Sequence, residues 1–183
     1  MSKAASGHFS GTTGTKIANK NMMKNAPSTD IIGNRVNGLD LREHPVKQYS
    51  KTSLKKIREK VSSKTATREE YKKLSQATRL NARRKEGVRQ FWEQERIRII
   101  NNLPTTRNWT DEQKKAICAG LKPQHKGRTI QGHHTYSVSK YPHLSNNGAV
   151  IFPATYYEHL YGWHGGNYST SKPGVPIKLI KEF

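Results

Sequence analysis

Histidines are concentrated towards the end of this chain, and their spacing could support chemistry. Six of the eight histidines lie in the last 59 residues, and two of them, His133 and His134, are adjacent. Histidine can ligate a metal or take up a proton near neutral pH. Because neighbouring side chains of an extended segment point to opposite faces, one of the pair can hold a metal while the other addresses a substrate. A histidine-rich polar loop, or a pair of hydrogen-bonded core histidines, is the alternative explanation.

The positive charge of the chain is large and unevenly distributed. The net charge is +20, and residues 1–128 contain 29 Lys and Arg against 11 Asp and Glu. Residues 129–183 contain only four Lys against two Glu. Such an excess of positive charge attracts polyanions. Nucleic acid is the expected partner, because Lys and Arg that neutralise phosphates release condensed counterions. A solvated basic surface without a specific partner is the alternative.

Cysteine content and hydropathy exclude several other classes of protein. The single cysteine, Cys118, excludes an internal disulfide and a zinc site built from several cysteines. No stretch approaches the roughly 18 apolar residues of a membrane span, so we expect no membrane partner. The beginning of the sequence has no apolar signal region. If the protein acts outside the cell that makes it, we expect its delivery to depend on something that this chain does not contain.

The composition divides the chain into three parts. Residues 1–50 show no persistent period, which predicts a mostly irregular basic arm. Residues 51–104 predict a basic helical region, with one helix from Ser53 and a second that opens with a capping box at Thr67 and bends at Gly87. A basic helix of this kind suits contact with a nucleic-acid backbone. Five of its residues are the expected contacts: Arg79, Arg83, Arg84, Lys85 and Arg89.

Residues 105–183 predict a small α+β unit. A short helix over 111–119 precedes a basic loop over 121–128, in which Lys122 and Lys126 are further expected nucleic-acid contacts. Strands are expected over 129–138 and 149–152, with a Pro-, Ser-, Asn- and Gly-rich loop between them. A short helix over 155–161 should then end at Gly162. The histidine pair therefore belongs to the first strand.

A specific run of residues resembles a known nuclease family. The run is Gly132-His133-His134, Tyr141-Pro142-His143-Leu144, Glu158-His159-Leu160 and Gly162-Trp163-His164. It is similar to the GHH-signature nuclease toxins, which are ββα-metal nucleases of the HNH/endonuclease VII-like superfamily found at the C-termini of bacterial polymorphic toxins. The resemblance is firm over 105–175 and weaker over 38–104. It implies an HNH-like ββα-metal nuclease domain over 105–183.

The resemblance also implies roles for individual residues. It places His133, His159 and His164 on one divalent metal ion, which could be Mg²⁺, Mn²⁺, Zn²⁺ or Ni²⁺, and it makes His134 the general base. A metal stabilises charge on the phosphate, while a neutral imidazole takes a proton from water. Arg128 could clamp a phosphate, because a guanidinium group matches phosphate geometry bidentately.

Two departures from the family pattern leave alternatives open. In the family an asparagine that orients the loop beneath the base often lies nine residues before the first helix ligand. Val150 is found there in this chain, so Asn146 or Asn147 takes that role or it is absent. Five positions on an α-helix turn a side chain by about 140°. His159 and His164 can therefore share a metal only if the helix stops at Gly162 and the chain reverses. Otherwise His164 is a turn residue that binds Asn167 or a carbonyl group.

These observations together predict a metal-dependent endonuclease of low sequence specificity, with DNA a better substrate than RNA. The resemblance implies a toxin domain that is delivered as the C-terminal part of a larger secreted bacterial protein and acts in the target-cell cytoplasm. It also implies a cognate immunity protein, which the charge of this chain predicts to be acidic. One alternative is a non-catalytic nucleic-acid-binding protein whose histidines hold a structural zinc. Another is a housekeeping or homing HNH endonuclease.

Overall fold

Helices dominate the first half of the structure. The computed structural model describes residues 28–183, beginning with α1 (Ser28–Arg35), α2 (Lys51–Ser62) and α3 (Arg68–Ile100). The predicted capping box opens α3. The Glu70 N–H donates to the Thr67 hydroxyl at 3.2 Å, and the Thr67 N–H donates to the Glu70 carboxylate at 3.0 Å. These bonds satisfy donors that the start of a helix leaves unpaired, which confirms the predicted start.

The long helix α3 continues without interruption through Gly87, where the sequence predicted a bend. A Cβ atom at Gly87 would lie 2.5 Å from the carbonyl oxygen of Ser145, so the missing side chain lets a loop approach the helix. Gly148 approaches the same helix, since its Cβ would lie 2.7 Å from the backbone nitrogen of Phe91. These glycines therefore mark close contact between α3 and the loop that follows the histidine pair.

The segment predicted to be mostly irregular contains one short helix that the sequence did not predict. Residues 1–27 of the predicted arm lie outside the described residues, but α1 and an extended stretch follow. Ile32 of α1 and Val36, which follows the helix, are buried; so short a helix gives too weak a periodic signal to predict it. Further along, the N–H groups of His44 and Val46 donate to the carbonyl groups of residues 140 and 139, both at 2.8 Å.

A short helix and a hairpin lie between α3 and the histidine pair. The helix α4 (Asp111–Cys118) begins where it was predicted to begin. Where the sequence predicted a basic loop, the strands β1 (Gln124–His125) and β2 (Arg128–Thr129) pair in an antiparallel hairpin. Lys126 and Gly127 connect them with φ angles of 48° and 73°. Positive φ at both central residues is the geometry of a tight two-residue hairpin turn.

The histidine pair lies in a second antiparallel pair of strands, β3 (Gln131–His134) and β4 (Ile151–Ala154). His133 is opposite Phe152 in the register. The strand β3 is shorter than the predicted span over 129–138, whereas β4 has the predicted length but begins two residues later than predicted. Its start is displaced because residues 148–150 form a 3₁₀ turn, in which the Asn147 side chain accepts a hydrogen bond from the N–H of residue 149 at 2.8 Å.

The next helix differs from the prediction in a way that affects the site. The sequence predicted an α-helix that ends at Gly162, but the chain forms a π-helix over Glu158–Trp163. The π-helix therefore passes through Gly162 without a chain reversal, and that prediction is wrong. Gly162 instead packs against the C-terminal segment: its carbonyl accepts the N–H of Lys178 at 3.0 Å. A Cβ at Gly162 would lie only 3.3 Å from the Lys178 carbonyl oxygen.

One hydrophobic core crosses the predicted boundaries at residues 50/51 and 104/105. It contains Ile32 of α1, Phe91 of α3, Phe152 of β4 and Trp163 of the π-helix. The fold is α+β, as predicted, and α3 packs along the β3–β4 pair and the loop between its strands. No helix within residues 28–183 is both long enough and apolar enough to cross a membrane.

Candidate active site

Three histidines from two elements converge beside β3. His133 of β3 and His159 and His164 of the π-helix region offer nitrogen atoms that all lie within 4.8 Å of one another. The ring centroid of His133 is 4.8 Å from that of His159 and 5.0 Å from that of His164. Nitrogen ligands of a tetrahedral zinc stand about 3.3 Å apart, given bonds of about 2.0–2.1 Å. A small inward movement of the rings would therefore form a metal site.

The π-helix explains how two histidines five positions apart share one face. The backbone N–H of His164 donates to the carbonyl of His159 at 3.2 Å, an i→i+5 bond that defines a π-turn. On an α-helix the same spacing would separate the side chains by about 140°. The structure thus brings the two rings to 5.0 Å from each other without the predicted reversal. A π-turn of this kind often occurs at functional sites.

Hydrogen bonds fix the orientation of both helix histidines. Nδ1 of His159 donates to the side-chain oxygen of Gln131 at 2.9 Å, and Nδ1 of His164 donates to the carbonyl of Thr170 at 2.7 Å. An amide or peptide oxygen can only accept, so in each ring Nδ1 carries the proton and Nε2 carries the lone pair. Outer partners of this kind orient metal ligands. For His164, binding a carbonyl and joining the cluster are therefore compatible.

Burial favours the uncharged form of two of the three histidines. His133 is 6 % exposed, and burial, assisted by the nearby His159 and His164, lowers its pKa well below the ordinary value. Burial also lowers the pKa of His159 to about 4, with a smaller contribution from His164. Because a histidine must be neutral to ligate a metal, these two lone pairs face little competition from protons at neutral pH.

His134 lies on the opposite face of β3 and has different partners. Its Nε2 is 2.9 Å from the carbonyl oxygen of Ser145. Since the carbonyl accepts, Nε2 carries the proton and Nδ1 carries the lone pair. Burial lowers the pKa of His134 to about 4, the bond to Ser145 opposes that shift, and the charge of Arg84 adds to it. His134 is therefore neutral at neutral pH, with Nδ1 as its proton-accepting atom.

The loop that carries Ser145 is fastened to α3 by Arg83. The guanidinium group of Arg83 donates to the His143 carbonyl at 2.8 Å, to the Asn146 side-chain oxygen at 2.7 Å and to the Ser145 hydroxyl at 3.3 Å. The sequence predicted Arg83 as a nucleic-acid contact, but these donors are occupied by the loop. Arg83 therefore positions the carbonyl that holds His134.

Neither asparagine candidate supplies the bond that reaches His134. Asn146 binds Arg83, and Asn147 accepts the N–H of residue 149. Both side chains bind within or beside the loop, whereas the backbone of Ser145 makes the bond to His134. The predicted task of ordering the loop is thus shared between these residues and the glycine contact to α3.

A basic groove of about 750 Å³ opens beside His134. Its basic side chains come from α3 and from the segment after α4: Arg84, Lys85, Arg89, Arg96 and Lys122. The sequence predicted four of these and overlooked Arg96. Arg89 also pairs with Glu86 at 2.7 Å, where both side chains are well exposed. An exposed pair of this kind is weak, so Arg89 can exchange Glu86 for a phosphate.

Gln131 joins the groove to the histidine cluster. Its side chain lines the groove and also binds Nδ1 of His159. Sequence patterns did not identify Gln131, although it lies two positions before His133 and strand alternation places both on one face. A nucleic-acid backbone held in the groove would reach the cluster at this residue.

Three other predicted contacts do not line this groove. Arg79 is exposed on α3, and the Lys126 ammonium lies 3.8 Å from the Glu182 carboxylate. The guanidinium group of Arg128 lies 5.5 Å from the ring centroid of Tyr156. Tyr156 stands just before the π-helix, so Arg128 is placed towards the helix rather than in the groove.

A buried ion pair that the sequence analysis missed anchors the π-helix. Arg107 donates two hydrogen bonds to Glu158, at 2.5 and 2.7 Å, and both side chains are almost fully buried. Breaking such a pair from one side costs about 3–5 kcal/mol. The partners are 51 residues apart, which hides the pairing from sequence patterns. Glu158 immediately precedes His159, so the ion pair fixes where the ligand-bearing helix begins.

One comparison with known proteins identifies a family for this chain. Residues 64–155 match the family described as GHH signature containing HNH/Endo VII superfamily nuclease toxin. The match covers half of the chain and includes α3, His133, His134 and the loop, but it ends before His159. No curated protein and no solved structure matches the chain.

Proposed function

The chain belongs to the GHH-signature nuclease toxins of the HNH/Endo VII superfamily, and we propose that it is a metal-dependent endonuclease that cleaves DNA with low sequence specificity. The observation that carries this proposal is the arrangement around β3. Three histidines converge on one face, while a fourth, His134, lies on the other face beside a basic groove. One proposed metal ligand and the proposed base are thus adjacent residues of one strand.

The donor set bears on which metal fits the site. His133, His159 and His164 offer three imidazole nitrogens, which suit Zn²⁺ and Ni²⁺, whereas Mg²⁺ and Mn²⁺ favour oxygen ligands. Three protein ligands also leave coordination positions open, as catalytic zinc sites do. We therefore favour Zn²⁺ or Ni²⁺ from the four ions that the sequence allowed. When bound, such an ion would stabilise charge on the phosphate and on the leaving oxygen.

The residues of the chain supply binding and proton transfer. Arg84, Lys85 and Lys122 attract the phosphates of the substrate into the groove. Nδ1 of His134 takes a proton from the attacking water. The Ser145 carbonyl keeps the other proton on Nε2 and stabilises the imidazolium that results. Gln131 keeps His159 oriented while the substrate is bound.

We also propose a biological role for this nuclease, with a protein partner that inhibits it. A nuclease toxin must be kept inactive in the cell that makes it, so we propose an acidic immunity protein that covers the groove. Its charge would complement the basic surface and speed association. We also propose that the domain is delivered with a larger secreted protein and acts in the cytoplasm of a target bacterium.

The proposal is tested with metal-free protein, plasmid DNA and total RNA. Adding Zn²⁺ or Ni²⁺ should convert the plasmid to nicked and then to heterogeneous linear products, and chelator should stop the reaction. Faster cleavage of RNA would overturn the DNA preference. Discrete fragments would favour a site-specific HNH enzyme. Binding without any cleavage, under all four ions, would favour the structural-zinc alternative.

A further inference from the structure

A second cluster of metal-ligating side chains lies away from the three histidines of the active site. Asp40, His44 and His143 offer ligand atoms that all lie within 4.8 Å of one another. The rings of His44 and His143 meet edge to face with centroids 4.7 Å apart. The carboxylate of Asp40 lies 3.4 Å from Nε2 of His44. Two residues come from the extended stretch after α1, and the third comes from the loop beneath His134.

The hydrogen bonding of His143 leaves one ring nitrogen for a ligand. Nε2 of His143 donates to the backbone carbonyl of Asp40 at 2.8 Å, so the proton is on Nε2 and the lone pair is on Nδ1. Nδ1 is shielded from solvent and has no hydrogen-bond partner within the described structure. A buried acceptor without a partner is costly. An ion bound at Nδ1 would remove that cost, and the bond from Nε2 would orient the ring as outer partners do in metal sites.

Asp40 retains the capacity to bind an ion. Arg42 donates to both of its carboxylate oxygens, which keeps the group ionised. Each carboxylate oxygen has two lone pairs, and Oδ2 accepts only one bond from Arg42, at 2.8 Å, so Oδ2 can accept a further partner. His44 is also exposed, so an ion can enter from solvent. Two imidazoles and one carboxylate, completed by water, are a ligand set that Zn²⁺ accepts in tetrahedral geometry.

We propose that Asp40, His44 and His143 form a second divalent-metal site, of the Zn²⁺ class, that fastens the extended stretch over 39–46 to the loop carrying Ser145. The stretch and the loop are already paired through backbone bonds from His44 and Val46. The ion adds a link between positions 99 or more residues apart in sequence. It therefore stabilises the loop that holds His134 without contributing a group to the reaction.

The test counts zinc ions per chain by calorimetric titration, in full-length protein carrying His134→Ala to silence cleavage. The parent should bind two ions. His44→Ala should bind one fewer. Asp40→Asn should weaken the same ion by more than the roughly 10–100-fold that follows the loss of an outer partner, because Asp40 is a ligand. His125→Ala is the matched control, because it removes a histidine outside both clusters and should keep both ions. Melting temperatures in chelator show whether each variant is folded.

The second site can be tested independently of the three-histidine site. With His159→Ala added to weaken that site, zinc should still bind and raise the melting temperature, and His44→Ala should abolish the remaining effect. An ion count that is the same with and without His44→Ala overturns the proposal. Loss of an ion in His125→Ala as well would show that the binding is not specific to this cluster, and it would also overturn the proposal.

Discussion

The backbone N–H of His164 donates to the carbonyl of His159 at 3.2 Å. This single π-turn bond is what lets the two side chains approach His133 together. A π-turn is equivalent to one extra residue in an α-helix, so removing one residue should return the pair to the four-residue spacing of an ordinary helical face.

Deleting Tyr161 should therefore retain metal binding, because the deletion converts the π-turn to an α-turn and keeps both histidines on one face. Tyr161 is 41 % exposed, so its loss disturbs little of the core. Inserting Ala after Tyr161 is the matched control, and it should weaken metal binding by more than about 100-fold, beyond the range for an outer partner. The measurement is calorimetric titration with Zn²⁺. Equal losses in both variants would refute the proposed role of the π-turn.

Gln131→Ala should weaken metal binding by about 10–100-fold, the typical effect of removing an outer partner. The substitution removes the acceptor that orients His159 but leaves all three proposed ligands in place. Gln124→Ala in β1 is the control, since its side chain is exposed and outside the cluster. Metal affinity is measured for both in the same titration. An unchanged affinity in Gln131→Ala would mean that His159 does not need this bond.

Alanine substitutions of the neighbouring residues Arg83 and Arg84 should have different effects on DNA binding and on stability. Arg84→Ala should weaken DNA binding and reduce the slope of log affinity against log salt by about 1, because it removes one phosphate contact. Arg83→Ala should leave that slope unchanged, lower the melting temperature and slow cleavage, because it releases the loop that holds His134. Fluorescence anisotropy at several salt concentrations makes the comparison. The opposite pattern would place Arg83 rather than Arg84 on the nucleic acid.

On the acid side of the pH–rate profile, the rate should become half-maximal at a pH well below the ordinary pKa of histidine. Burial lowers the pKa of His134 to about 4, so the neutral, proton-accepting form persists as the pH falls from 7 towards 5. An unperturbed histidine with a pKa near 6.5 would lose most of its base form over that interval. The rate is measured with metal held saturating at each pH, checked by doubling the metal concentration. A half-maximal rate near pH 6.5 would contradict the lowered pKa of His134.

Sequence patterns were sufficient where the determining interactions are local. The capping box at Thr67 lies within four residues and was predicted correctly, and the α+β class followed from the order of the elements. The π-turn could not be predicted, because it depends on the packing of Gly162 against Lys178 and of Trp163 in the core. Likewise, Arg83 looks like any basic residue of a charged helix until its partners, some 60 residues later, are placed beside it.

Some features of the candidate site could likewise be predicted from the sequence, and others could not. Strand alternation was enough to place His133 and His134 on opposite faces, and that division is what the proposed mechanism needs. The acceptors that set the tautomers come from Gln131, Ser145 and Thr170. Two of these are backbone carbonyls, which carry no signature in the sequence. Only the folded chain could identify which nitrogen of each ring is left for chemistry.

The most direct test of this division compares His133→Ala with His134→Ala in a calorimetric metal titration beside a plasmid-nicking assay. If His133 is a ligand, His133→Ala should lose metal affinity and cleavage together. If His134 is the base, His134→Ala should keep nearly full affinity for metal and DNA while its cleavage rate falls by roughly 10²–10⁴-fold, the usual effect of a positioned acid–base group. Loss of metal by the His134 variant with retention by the His133 variant would contradict the account and reverse the two roles.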